Sequence, residues 1–284
     1  MAKDEPAKKI YGLIGYPVKH SLSPAMHNAA FRALDIEAEY RLFELKPEEL
    51  ESFLGNLKAN NILGLNVTVP YKEKVLGAVK LDSESFYLSQ IKAVNTIVVS
   101  GDILKGFNTD IPGFERDLKE NIKPADKRAA ILGAGGAARA VAYVLAKLKA
   151  KDVYIYDIDK TKSQGIVDMV KSLFADYPIF SVDSVGQLGI ENKDLLINTT
   201  PVGLSDNDPC LVKEAVLHKD LFVYDLIYNP LETKLLALAK KNGLKYSNGL
   251  KMLLYQGMLS FSHWTGKDAP IEVMRKALME AIQK

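Results

Sequence analysis

The chain has 284 residues, long for one compact core, so two domains are the starting expectation. Its net charge of +2 offers no basic stripe to nucleic acid or an acidic membrane, and no apolar run approaches the ~20 residues that span a bilayer. The single Cys210 excludes an internal disulfide framework and fits a reducing cytoplasm, Met1 to Lys9 is too polar for a signal peptide, and the four histidines and one cysteine do not cluster as metal ligands.

Ile10 to Gly15 reads as a short apolar strand ending in glycine. After the loop Tyr16–Ser21, Pro24 suits the first turn of a helix and Ser23 its N-cap, with Met26, Ala29, Ala30, Ala33 and Leu34 forming the apolar stripe. Ser21 is not needed for capping. Two hydroxyls on a loop at the C-terminal end of a strand are well placed to hydrogen-bond a carboxylate. His20 and His27 read as structural or solvated, having no acid or ligand partner near in sequence.

Tyr40 to Leu45 alternates like a strand, and Pro47 to Leu57 reads as an amphipathic helix. Ile62 to Pro70 is a β-branched strand closed by proline, with Tyr71 to Lys74 opening a helix. The alternation predicts a parallel or mixed α/β sheet. Lys72 falls just past a strand end, where α/β enzymes gather their sites; its plainer reading is a solvated helix residue. Ala93 to Val99 is a strand interrupted by Asn95, Gly101-Asp102 a hairpin turn, and Ile103 to Gly106 the return strand, leading to Phe107–Asp110. Buried polar groups must be hydrogen-bonded, so Asn95 and Asp110 are either turn-formers or a polar pair facing a ligand.

Asn121 to Lys127 is polar and carries a proline, as a linker would. Arg128 to Arg139 then reads as a buried strand, a glycine turn and a helix start, in the form G-x-G-x-x-A. Gly133 would allow the tight turn, Gly135 a close approach of backbone to a pyrophosphate, and Ala138 close packing of helix on strand. Short Gly/Ala runs also arise where a helix merely packs closely on a sheet. The second strand, Asp152 to Asp157, ends on an acid 24 positions after Gly133, near the ~20-residue spacing of a ribose-binding carboxylate. The plainer reading of Asp157 is a helix N-cap or a turn residue, which leaves cofactor preference open. Asp194 to Gly203 and Phe222 to Pro230 are further buried strands ending in polar turns. Asn248-Gly249 begins a turn, Leu250 to Trp264 is an apolar helix with Gln256 as its polar exception, and Ile271 to Ile282 is a terminal amphipathic helix.

Six motifs stand in one order: S-L-S-P at 21 to 24, N-V-T-V-P-Y-K at 66 to 72, A-V-N-T at 93 to 96, N-T-D at 108 to 110, G-A-G-G-A at 133 to 137 and N-G-L-K-M-L-L-Y-Q-G at 248 to 257. Over nearly the whole chain this resembles the shikimate dehydrogenase family, including its quinate/shikimate branch. The resemblance implies an α/β protein in which a split N-terminal substrate domain, completed by C-terminal helices (1–110 plus 249–284), holds an inserted Rossmann-type dinucleotide-binding domain (111–248). It implies reversible NAD(P)-dependent reduction of 3-dehydroshikimate to shikimate, a step of aromatic amino acid biosynthesis, by a cytoplasmic monomer or homodimer. By motif, Lys72 and Asp110 would be the catalytic pair. Ser21 and Ser23 would bind the substrate carboxylate, with Thr68 lining the site. Asn66, Asn95, Asp110 and Gln256 would bind ring hydroxyls, and Tyr228 would lie near substrate and nicotinamide. Gly133, Ala134, Gly135, Gly136, Ala137, Asp157, Thr200, Gly249 and Met252 would hold the cofactor.

The chain departs from that pattern in three places. Many NADP-using relatives resemble N-R-T-x-x-R after the second Rossmann strand, where this chain has Asp157-Ile158-Asp159-Lys160-Thr161-Lys162. An acid there accepts from a free 2′-hydroxyl and repels a 2′-phosphate, and the guanidinium clamp expected at 158 is Ile, which favours NAD or the use of both cofactors, though Lys160 and Lys162 could partly replace that clamp. Lys92 and Ile111 stand where relatives often have glycine. The runner-up is an NAD-dependent quinate/shikimate dehydrogenase. A non-catalytic dinucleotide-sensing module is the alternative of another class, and the retained Lys72 and Asp110 count against it.

Overall fold

The computed structural model describes residues 8–81 and 87–283, so the polar start of the chain up to residue 7 lies outside the described residues. In chain order the elements are β1 (Lys9–Gly15), α1 (Ser23–Ala33), β2 (Ala38–Glu44), α2 (Leu50–Gly55), β3 (Ile62–Val67), α3 (Tyr87–Ile91), β4 (Thr96–Ser100) and β5 (Ile103–Phe107). They continue with α4 (Asp110–Asn121), β6 (Arg128–Leu132), α5 (Gly136–Lys147), β7 (Asp152–Tyr156), α6 (Lys160–Leu173) and β8 (Ile179–Val182). The last are β9 (Leu195–Asn198), β10 (Phe222–Asp225), α7 (Lys234–Lys241), β11 (Lys245–Asn248), α8 (Leu250–Thr265) and α9 (Ile271–Ile282). The chain packs as two compact units, one running to Thr109 and resuming at Gln256, the other Asp110–Tyr255.

The first unit is built on a five-stranded sheet in the order β2-β1-β3-β4-β5. β1 is parallel to both its neighbours, and β4 is antiparallel to β3 and β5. The sheet is therefore mixed. β4 and β5 form the expected hairpin, with Gly101 in the left-handed region at φ 63°. β1 is buried at all positions after Lys9, and the Leu50, Leu57, Leu65, Val67, Tyr71 and Ile97 side chains form the core on one side of it. α1 and α9 pack against each other.

Three local readings differ from the sequence expectation. Ser23 is not the N-cap of α1; Leu22 holds that position, and the Ser23 amide donates to Ser21 Oγ at 3.2 Å. Ser21, not Ser23, thus serves the helix start with its side chain. The helix expected over 47–57 divides into a tight turn at Pro47–Glu49 and the short α2, because Asn56 turns its side chain back to the Ser52 carbonyl and ends it. No α-helix starts at Tyr71. That ring is fully buried and its hydroxyl donates to the Leu45 carbonyl, so it pins the turn to the core, and a single tight turn follows at Lys74–Ala78.

The second unit carries a six-stranded, all-parallel sheet in the order β11-β10-β9-β6-β7-β8. The chain starts in the middle at β6, builds outward through β7 and β8, then returns to the other side of β6 with β9. The order reverses between β6 and β9, which is where doubly wound sheets bind ligands beyond the strand ends. β9 and β10 are buried at every residue, as strands covered on both faces must be, while edge strand β11 is not.

Candidate active site

In the first unit, β3, the approach to β4, the end of β5 and α8 deliver polar side chains to one buried cluster. Asn66, Asn95, Thr96, Thr109, Gln256 and Ser260 are all under a tenth exposed. Asn95 Oδ1 accepts from the Thr109 amide at 2.7 Å, and its Nδ2 donates to Thr109 Oγ1 at 2.9 Å and reaches Gln256 Oε1 at 3.5 Å. Asn66 Nδ2 donates to Ser260 Oγ at 2.9 Å. Ser260 stands one turn beyond Gln256 on α8 and donates back to its carbonyl at 3.0 Å. The structure thus brings Asn66, Asn95 and Gln256 together through a hub of three hydroxyls. Sequence reading missed Thr96, Thr109 and Ser260; the i, i+4 spacing of Gln256 and Ser260 was the available signal.

Lys72 is half-buried, and its carbonyl accepts from the Val94 amide at 2.9 Å, which ties the β3 exit to the A-V-N-T segment. Thr68 donates its amide to the Ile14 carbonyl at 2.9 Å, and a Cβ on Gly15 would fall 2.4 Å from its methyl. Ser23 is buried and Ser21 half-buried at the start of α1. Asp110 follows Thr109 directly in the chain, is 6% exposed and opens α4.

In the second unit the register aligns Leu132 with Tyr156 on one side and with Asn198 on the other, and Asn198 with Asp225. Gly133, Asp157 and Thr199 therefore leave the sheet at one level. Gly133 sits at φ 94°, and a Cβ there would meet Thr199 Oγ1 and Thr200 Cγ2 at 2.8 Å and the Thr200 amide at 3.1 Å. Gly135 has φ −80° and open space around its Cβ position. α5 begins with no side-chain cap and no acid in its first turn, so the amides of Gly136 and Ala137 and the positive end of the dipole are left for an anion.

Asp157 holds this corner. Its Oδ2 accepts from the Ala134 amide at 2.7 Å and its Oδ1 from the Asp159 amide at 2.8 Å. The cap of α6 is Asp159, so of the two plainer readings of Asp157 the cap does not hold, while its bond to the amide two residues on is that of a turn residue. Thr200 donates its hydroxyl to Asn198 Oδ1 at 2.7 Å and its amide to the same oxygen at 3.0 Å. Asn198 Nδ2 donates to Asp225 Oδ1 at 3.0 Å. Asp225 has no exposed surface and also accepts from the Ile227 amide and Thr233 Oγ1; burial still pushes its carboxyl above the usual range. Gly249 is wedged against β10's exit, where a Cβ would lie 2.0 Å from the Leu226 carbonyl oxygen. Met252 is buried and Tyr228 half-buried. Among the described residues no group of three or more His, Cys, Asp or Glu is placed to hold a metal, and no helix is long and apolar enough to cross a membrane.

A mixed α/β unit with a buried polar cluster, joined in one chain to a doubly wound sheet with an open glycine corner, defines a two-domain dinucleotide-dependent enzyme of the Rossmann type. The comparisons with known proteins narrow that class. The family model described as shikimate dehydrogenase substrate binding domain matches residues 13–97, and the one described as shikimate 5′-dehydrogenase C-terminal domain matches residues 249–279. A shikimate dehydrogenase (NADP(+)) of Methanococcoides burtonii is 42% identical over 276 residues, covering 97% of this chain and 99% of the relative. The crystal structure of shikimate dehydrogenase from Aquifex aeolicus is 38% identical at a TM-score of 0.87, covering 96% of this chain and 98% of that one. Shikimate 5-dehydrogenase from Listeria monocytogenes, solved in complex with shikimate and NAD, is 31% identical at a TM-score of 0.84 over 98% and 99% of the two chains. The chain belongs to the shikimate dehydrogenase family.

Proposed function

We propose that this protein catalyses the reversible, nicotinamide-dependent reduction of 3-dehydroshikimate to shikimate, a step of the shikimate pathway to aromatic amino acids. The observation that carries the reading is the pairing of two built sites in one chain: the hydroxyl-rich buried cluster around Asn66, Asn95 and Gln256, and the open anion corner at Gly133–Ala137. We assign residues 1–110 and 249–284 to the substrate domain and 111–248 to the dinucleotide domain. The compact units support this, their edges falling at 109/110 and, within α8, at 255/256.

When bound, the nicotinamide supplies a hydride to one face of the ketone. The chain's own task is to place the ring and supply a proton to the developing alkoxide. Ser21 and Ser23 at the start of α1, with Thr68, hold the substrate carboxylate. Asn66, Asn95, Gln256 and Asp110 hold the ring hydroxyls. The Lys72 ammonium stabilises the alkoxide oxygen and donates the proton, with Asp110 as its partner in the catalytic pair. Tyr228 and Met252 border the nicotinamide and Gly249 and Thr200 the rest of the cofactor, with the pyrophosphate on Gly133, Ala134, Gly135, Gly136 and Ala137.

For the cofactor we favour NAD, or use of both forms. Asp157 spends one lone pair of each oxygen on a backbone amide and keeps acceptor capacity for a ribose hydroxyl. Ile158 is 94% exposed where a guanidinium clamp would stand. Lys160 is ion-paired with Asp183, and Lys162 lies 3.8 Å from Asp159, so each cation has an acid beside it. These same residues keep an NAD-dependent quinate/shikimate dehydrogenase as the second reading. Purified protein assayed with shikimate and quinate against NAD and NADP separates the readings. Shikimate turnover is expected, with kcat/KM for NAD at least equal to that for NADP. A large NADP preference would refute the cofactor assignment, and no turnover with either substrate would refute the dehydrogenase itself.

A further inference from the structure

Asn66 has little freedom left. Its Nδ2 faces three acceptors, Ser260 Oγ at 2.9 Å, Thr96 Oγ1 at 3.2 Å and the Asn95 carbonyl at 3.3 Å. A carboxamide nitrogen has two hydrogens, so its donors are spent inside the protein. Its Oδ1 accepts from the Tyr40 hydroxyl at 2.8 Å, which leaves one lone pair. The amide cannot be reversed cheaply, because Oδ1 would then confront the Asn95 carbonyl, which has nothing to donate.

Tyr40 is itself held from one side by α1. The Tyr40 ring, 2% exposed, stacks on the His27 imidazole with centroids 4.4 Å apart and planes 11° from parallel. The next residue, Asn28, brackets the Tyr40 backbone: Oδ1 accepts its amide at 2.8 Å and Nδ2 donates to its carbonyl at 3.1 Å. His27 is fully buried, and neither of its ring nitrogens has a hydrogen-bond partner. Burial holds the ring neutral, its pKa lowered to about 3.

We propose that Tyr40 is a positioning residue of the substrate site, its hydroxyl setting the Asn66 amide so that only the remaining lone pair of Oδ1 is offered to substrate. Asn66 then acts toward the ligand purely as an acceptor and selects a ring hydroxyl that can donate. This rests on the dehydrogenase reading above and adds a residue and a direction of hydrogen bonding to it.

A double-mutant cycle on the full-length protein tests it, using Tyr40→Phe, Asn66→Ala and the double variant. The readouts are KM and kcat for shikimate, calorimetric Kd for shikimate, Kd for the dinucleotide and the melting temperature. Tyr40→Phe keeps the stacked ring and leaves the Asn66 oxygen without its donor. It is expected to weaken shikimate binding roughly tenfold, with kcat changed less than about threefold and the dinucleotide Kd unchanged. In the Asn66→Ala background the same change is expected to cost less than about twofold. An equal loss in both backgrounds, or a lower melting temperature with shikimate binding intact, would overturn the positioning role. A wild-type protein that neither binds nor turns over shikimate would overturn the dehydrogenase reading and this one with it.

Discussion

Alanine substitution at two glycines of the same turn should fail in different ways, because one is demanded by the fold and the other only by a ligand. Gly133 occupies φ 94°, a conformation that costs a side-chain-bearing residue about 1–2 kcal/mol. Its new methyl would also lie 2.8 Å from Thr199 Oγ1 and Thr200 Cγ2 and 3.1 Å from a backbone amide that cannot swing away. Overpacking of this kind costs about 1–3 kcal/mol, so Gly133→Ala should lose about 2–5 kcal/mol of stability. Gly135 stands at φ −80° with nothing within 4 Å of its Cβ position. There the weaker helix-capping of alanine and the reduced entropy of the unfolded chain offset each other to within about 1 kcal/mol. If a pyrophosphate lies against that backbone, the same methyl should raise the dinucleotide Kd about 5–150-fold. Urea denaturation and calorimetric titration with NAD and NADP read the two quantities separately. A Gly135→Ala protein that binds both dinucleotides like wild type refutes the pyrophosphate placement. A Gly133→Ala protein with unchanged stability refutes the strain argument.

Lys72→Ala should lower kcat by ~10²–10⁴ while leaving the dinucleotide Kd unchanged, and near-normal turnover would remove Lys72 from the reaction. Lys92 follows α3 at φ 53°, its amide donating to the Leu88 carbonyl at 2.8 Å, so a lysine fills a left-handed cap that suits glycine. Lys92→Gly should therefore stabilise the protein by ~0.5–1 kcal/mol in urea denaturation, the relief of strain exceeding the added chain entropy. Burial lowers His27 from 6.5 to about 3, so the unfolded chain binds the extra proton between those values. Its contribution to stability is complete above pH 6.5 and declines as pH falls, by up to ~1.4 kcal/mol per unit. His27→Phe keeps a flat ring against Tyr40 and should narrow the gap in urea midpoints between pH 7 and pH 5; an unchanged gap would contradict the burial argument.

Local chemistry along the chain was enough to reveal several features. Period-2 and period-3.6 patterning, the glycine corner at Gly133–Ala137 and the hairpin glycine at Gly101 depend on backbone preferences that each short stretch expresses by itself. The order of six motifs was enough for the family. Local reasoning went astray at Ser23 and Tyr71, where a distant or adjacent partner outweighed propensity: Ser21 takes the helix-start amide, and the buried Tyr71 ring bonds to Leu45 in place of starting a helix. For Asn95 the residues alone allow a turn-former or a ligand-facing group, and its partners Thr109 and Gln256 show it in the buried cluster.

The order of residues settles which chemical groups the chain owns and the class of sheet that carries them. How those groups are spent depends on packing between distant segments. Asn66 and Tyr40 are 26 residues apart, and Asn66 and Ser260 are 194 apart, so no window of sequence could show that one amide is held from both ends. Ala134 and Asp157 meet across two parallel strands, so an acid whose spacing suggests a ribose contact is seen holding the glycine turn. A hydrogen bond depends on positions within a few tenths of an ångström. Such positions come from register and packing, which the whole chain sets together.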